Sequence, residues 1–139
     1  MNREIKYRAW DNVKDEMYYV GEEGNISFGL ESNGIVAYDI TEEEEEFKIL
    51  HHLKYMQYTG LEDMNGNGIY EGDIVYQIFN DRIDEWHGFT GVVKQEEGVW
   101  WVDNEVDNGT RLWSEMNQNI IKGNKFENPE LLQGGKGNE

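Results

Sequence analysis

The sequence predicts a mostly β chain of the α+β type, with an N-terminal β lobe carrying one short helix and a small C-terminal β-barrel. Three observations lead there. Glycine and asparagine turn signals recur along the chain at Glu23-Gly24-Asn25, Asn33-Gly34, Asn65-Gly66-Asn67-Gly68, Glu97-Gly98, Asn108-Gly109 and Lys122-Gly123-Asn124. Several stand about ten residues apart, the spacing of short strands in β-rich domains, and both residue types reach positive φ at little steric cost. Between them lie runs of β-branched and aromatic residues, and the single proline, Pro129, falls beyond the last run, where it interrupts no ladder.

In chain order, Ile5 to Trp10 alternates Ile5, Tyr7 and Ala9 against Lys6, Arg8 and Trp10, the period of a strand. Met17 to Val20, Asn25 to Leu30 and Ile35 to Ile40 follow as further strands. A helix is expected from Thr41 to Lys54. Thr41 can cap it, Glu44 completes a capping box, and Glu42 to Glu46 suit the positive end of the helix dipole. Phe47, Leu50, Leu53 and Lys54 then fall on adjoining faces, although alternation makes Phe47 to Leu50 readable as a strand. Tyr55 to Thr59, Asp73 to Phe79, Phe89 to Gln95, Val99 to Asp103, Thr110 to Trp113 and Asn119 to Phe126 complete the strands. This places the β lobe at 1–54, the barrel at 55–132 and a Gly-rich disordered tail at 133–139.

Composition supports a folded core and narrows the partners. Only 37% of residues are apolar, but five Trp, eight Tyr and five Phe each bury a large area. The 29 acids against 12 Lys and Arg give a formal charge of −17, with 13 acids and 6 bases in positions 1–60 and 16 and 6 in positions 61–139. So even an excess, with no basic run, argues against direct binding to nucleic acid, which needs cations to displace condensed counterions. It equally disfavours anionic membranes and favours basic partners. With no cysteine there are no disulfides and no thiolate chemistry. The start lacks the apolar core of a signal peptide and no segment approaches the roughly 20 apolar residues of a membrane span, so a cytoplasmic location is expected.

Several segments together resemble the YopX family of phage and prophage proteins. They are Ile5-Lys6-Tyr7-Arg8-Ala9-Trp10-Asp11 with Met17, Met56-Gln57-Tyr58-Thr59-Gly60-Leu61, Asp63, Asn65-Gly66, and Ile69-Tyr70-Glu71-Gly72-Asp73-Ile74-Val75. Gly91-Val92-Val93, Gly123-Asn124 and Phe126-Glu127-Asn128-Pro129-Glu130-Leu131-Leu132 complete the set. This copy departs from the family wording at Met64, at Asn67-Gly68 and in the Glu42–Glu46 run. The resemblance implies that the second part is an SH3-like barrel. It brings no assigned activity and no catalytic residues.

Among candidate sites, Asp63-Met64-Asn65-Gly66-Asn67-Gly68-Ile69 reproduces the first half of an EF-hand calcium loop, with Asp63, Asn65, Asn67 and Glu71 as the oxygen set. Its twelfth position is Ile74 where a bidentate Glu is required, and both flanks read as strands, so an Asx/Gly turn accounts for the same residues. No metal or cofactor is expected. His51 and His52 are adjacent and point apart, and His87 has only Asp81, Asp84 or Glu85 for company, short of a zinc set. Glu71 and Asp73 share one face of a strand but read as a turn entering the barrel, with Gly72 shaping the bend. Ser27, Ser32, Ser114 and Thr59 sit in no nucleophile elbow, and no phosphate loop is present.

Aromatic residues carry the best lead. Trp100 and Trp101 are neighbours on one strand, so one can fill the barrel while the other is covered by the N-terminal lobe, by a partner, or exposed. Trp10, Trp86 and Trp113 add to the supply. The expected function is therefore a non-enzymatic phage-type accessory protein that binds a protein partner or its own copy, with Trp100 and Trp101 as the interaction surface. Two other readings are an acidic mimic of nucleic acid that blocks a DNA-binding protein, and a small enzyme or nucleic-acid binder built on the barrel.

Overall fold

The computed structural model describes residues 6–32, 34–40, 48–80, 86–106 and 109–132. They divide into two compact units, Lys6–Met56 and the residues from Gln57 onward. The fold is mostly β.

In the first unit β1 (Tyr7–Asp11) and β2 (Glu16–Tyr19) form an antiparallel hairpin, from Arg8 opposite Tyr19 to Asp11 opposite Glu16. A three-stranded antiparallel sheet runs β3 (Ile26–Glu31), β4 (Gly34–Asp39), β5 (Lys48–Ile49). The core of this unit is Ala9, Tyr18, Ile26, Ala37 and Leu53, with Phe28, Leu50 and Tyr55 packed on them. The alternation expected of Ile5 to Trp10 does not separate buried from exposed residues, since Arg8, Ala9, Trp10 and Asp11 are all buried. The rings of Phe28 and Tyr55 meet edge to face at 6.5 Å, a favourable arrangement of their quadrupoles.

The expected helix from Thr41 to Lys54 is corrected. Residues 41–47 lie outside the described residues, but Lys48–Ile49 is a strand and Lys54 opens the next one. Tyr38 pairs with Ile49 and Asp39 with Lys48, and the Leu50 amide extends the ladder onto the Ala37 carbonyl at 2.9 Å. Capping and dipole effects are local and worth about 1 kcal/mol each. Ladder pairing with β4, together with burial of Leu53 and packing of Leu50, outweighs them. Among the described residues the one helical turn is at 130–132, after the proline.

The second unit takes in the end of β6 (Lys54–Glu62), which pairs with β7 (Gly68–Tyr70), a strand not anticipated from sequence. Next come β8 (Asp73–Asn80), β9 (Trp86–Glu96), β10 (Val99–Asp103), β11 (Gly109–Arg111) and β12 (Asn117–Asn124). They form an antiparallel sheet in the order β11-β10-β9-β8-β12. The sheet curls around Ile69, Val75, Val93, Val102 and Leu112, with Leu61, Phe89, Trp100 and Ile121 at its margin. Gly91 permits the curl: a Cβ there would stand 2.8 Å from Val102 Cγ1. Gly72, at φ 86°, turns the chain into β8 and is held by its amide to the Val93 carbonyl and by its carbonyl to the Lys125 amide.

Inside the curl the fully buried Gln77 links the edge strands. Its Nε2 donates to the Arg111 carbonyl at 3.1 Å and to Asn119 Oδ1 at 3.0 Å, and its Oε1 accepts from the Thr110 hydroxyl. Asn119 Nδ2 in turn donates to the Leu112 carbonyl at 2.9 Å. β11 is thereby tied to β8 and β12 by side chains rather than by a backbone ladder, and the polar groups satisfy one another in the interior.

Candidate functional site

Strand alternation divides the two tryptophans. Trp100 packs against the core of the second unit. Trp101 takes the other face, where Lys94 of β9 and Arg111 of β11 are its cross-strand partners. With Glu96, Glu97, Val99 and Arg111 it lines a shallow depression of about 680 Å³. The hairpin turn at its end is built by Glu97 (φ 53°) and Gly98 (φ 79°), two consecutive residues at positive φ as a tight β-hairpin turn requires. Past β11 the Leu112 amide still donates to the Trp100 carbonyl at 2.9 Å, and Leu112 is fully buried. Trp113 therefore emerges on the outer side and is 62% exposed. Sequence reading placed Trp113 in a strand without recognising it as part of this face. Alternation sets Trp113 on the face opposite Leu112, but which of the two faces is exposed depends on strand pairing that the sequence does not display.

The Asp63 loop is organised by its own backbone. Asp63 Oδ1 accepts from the Asn65 and Asn67 amides, both at 2.9 Å, and Oδ2 from the Ile121 amide at 3.0 Å. Burial opposes ionisation of this carboxyl, but the Ile121, Asn67 and Asn65 amides outweigh it and hold the pKa below the usual carboxylate range. Glu71 Oε1 faces the Gln57 amide at 3.3 Å, and Asp73 Oδ2 accepts from the Tyr70 amide at 2.8 Å. Both oxygens of the would-be first calcium ligand are thus used to close a turn and fasten it to β12. Among the described residues no three His, Asp or Glu side chains are placed to hold a metal ion.

A family model described as YopX protein matches residues 6–133. The chain belongs to the YopX family. Among solved structures it is similar to protein yopX from Bacillus subtilis, with 23% identity and a TM-score of 0.62 over 91% of this chain and 96% of that one. It is also similar to a protein of Enterococcus faecalis, with 23% identity and a TM-score of 0.58 over 94% of this chain and 99% of that one. The comparison with curated proteins returns no match.

The residues that carry the YopX resemblance are occupied with the fold. Asp11, 1% exposed, is the hub of the first unit. Its Oδ1 accepts from the Val13 amide at 2.9 Å, the Lys14 amide at 3.1 Å and His52 Nε2 at 2.8 Å, while Oδ2 accepts from the Tyr18 hydroxyl at 2.7 Å. Burial penalises the charge, yet Tyr18, the two amides and His52 together lower its pKa to about 2. The same burial and the Asp11 charge raise the Tyr18 hydroxyl well above its ordinary value. These groups border a cavity of about 270 Å³ that is also lined by Ile26, Leu50, Asp39 and Lys48. At the far end of this YopX chain, Asn124 Oδ1 accepts from the Phe126 and Glu127 amides, and Asn128 Oδ1 from the Asn124 amide. His52 joins a cluster that sequence spacing did not reveal, because its partner lies 41 residues away.

Among the described residues no helix is long and apolar enough to cross a membrane.

Proposed function

We propose that this YopX-family chain is a non-enzymatic, phage-type accessory protein of the cytoplasm that acts by binding another protein. The observation that carries the reading is the outer face of β9–β11, where the 62% exposed Trp113 follows Arg111 and the half-buried Trp101. Large aromatic rings with an arginine between them are the side chains that dominate binding energy at protein contacts. Support also comes from Asp11, Asp63 and Asp73, whose carboxylates are committed to turn amides and buried hydroxyls and so offer no poised acid–base pair. The zero cysteine count suits a reducing compartment.

The test is photo-crosslinking in cells carrying the protein, with a photoreactive residue at Val99 and the W101A/W113A double variant as control. A discrete crosslinked protein that disappears in the double variant is expected. Background alone, or an identical pattern from both proteins, would remove the reading.

A further inference from the structure

Resting on that protein-binding reading, we infer that the occupant of the outer face is a lysine- or arginine-bearing peptide segment lying across Trp101 and Trp113. Its cations meet the Glu96 and Glu97 carboxylates. Three features select this occupant over others.

Charge is the first. Glu96 and Glu97 line the depression beside Trp101. Of the cations on this face, Lys94 is already engaged, 3.1 Å from Asp103 and 3.9 Å from Glu96. Arg111 is left to face Glu96 and Glu97 within the depression, and exposed Glu105 and Glu115 flank its strand. The local balance is negative, as is the whole chain at −17. An incoming cation gains from the long-range field and from the carboxylates at the depression, whereas a second copy of this chain would bring two such charges together.

The second feature is the chemistry of the rings. Indole is the best aromatic face for an ammonium or guanidinium, and it holds the methylene stem of the same side chain. Trp101, which lines the depression, and the exposed Trp113, two residues beyond Arg111, supply two such faces on this side of the sheet.

The third is the state of the sheet edges. The Arg111 carbonyl on β11 accepts from Gln77 Nε2 at 3.1 Å and Asn117 Nδ2 at 3.3 Å. On β12 the Asn119 carbonyl and the Ile121 amide are taken by Met64 and Asp63. Backbone strand addition is thereby blocked at these positions, so recognition falls to side chains on the face.

The probe is a capped peptide of alternating lysine and alanine, titrated into the full chain while the indole N–H resonances are followed by NMR. The Trp101 and Trp113 signals are expected to shift and the Trp10 signal to stay. E96Q/E97Q and W113A should each weaken binding about fivefold or more, while E22Q/E130Q, which removes the same charge elsewhere, should weaken it less than about twofold. Equal weakening by the two charge-neutralising pairs, unmoved Trp101 and Trp113 signals, or equal binding of a glutamate–alanine peptide would each overturn the inference. So would light scattering that shows a dimer lost in W101A/W113A. If the lysine peptide fails while the Val99 crosslink and its loss in W101A/W113A persist, the partner is not basic and the protein-binding reading stands. If the crosslink is absent as well, both fall.

Discussion

Two aspartates, one in each unit, do similar work by different means. Asp11 and Asp63 are 1% and 6% exposed, and each closes a turn by accepting several hydrogen bonds. Asp63 is held chiefly by backbone amides, of Asn65, Asn67 and Ile121, with the Asn67 side chain as a further donor. Asp11 has two amides, but its remaining partners are the Tyr18 hydroxyl and the His52 ring. An amide can only donate. A hydroxyl can also accept, and an imidazole can change tautomer. The first unit is therefore built around a carboxylate whose surroundings can adapt, and the second around one whose donors are mostly fixed backbone N–H groups.

The largest effect expected from this difference is at Asp63. D63A strands three amides without an acceptor and should destabilise the second unit by about 3 kcal/mol, read by urea unfolding. D63N should remain costly, at about 2 kcal/mol, because its new amide group opposes a backbone donor. D11N should cost only about 1 kcal/mol, since the Tyr18 hydroxyl can accept from the new amide and donate to Glu16, 3.3 Å away. Equal losses in D63N and D11N would break the comparison.

Acid should act next. The folded-state pKa of Asp11 is about 2, below its ordinary value near 4, so its contribution is present above pH 4 and is lost as pH falls through 2. The loss should reach about 2 kcal/mol between pH 5 and pH 2 and should be much reduced in D11N. Urea titrations across that range, with tyrosine and tryptophan fluorescence as the reporter, measure both slopes. A smaller effect is expected of H52A, about 0.5 kcal/mol, because the His52 side chain is 33% exposed and an exposed partner contributes little. Smallest of all, millimolar calcium should leave the melting temperature unchanged, because Asp63 has no oxygen free of an amide. A rise in melting temperature would show the turn opening to take the ion.

Much of the architecture was legible because its causes are local. β-branched and aromatic runs between turn signals located β1 to β4, β6 and β8 to β12, and the turns Glu97-Gly98 and Gly66-Asn67 carry glycine where the backbone needs it. The segment 48–54 was misread because its five preceding glutamates favour a helix locally, whereas its conformation is set by pairing with Tyr38 and Asp39. The site divided along the same line. The opposite facing of Trp100 and Trp101 follows from period two. The joining of Asp11 to His52, and the exposure of Trp113 against the burial of Leu112, depend on which strands become neighbours, and no local pattern encodes that.

The side-chain closure of the curled sheet has a bearing on the life of the protein in a crowded cell. A β-rich chain invites polymerisation wherever a row of bare peptide groups can template a further strand. Here one carboxylate and a few carboxamides are spent on those peptide groups, so growth by stacking is blocked at the positions they occupy, whatever the concentration of the chain.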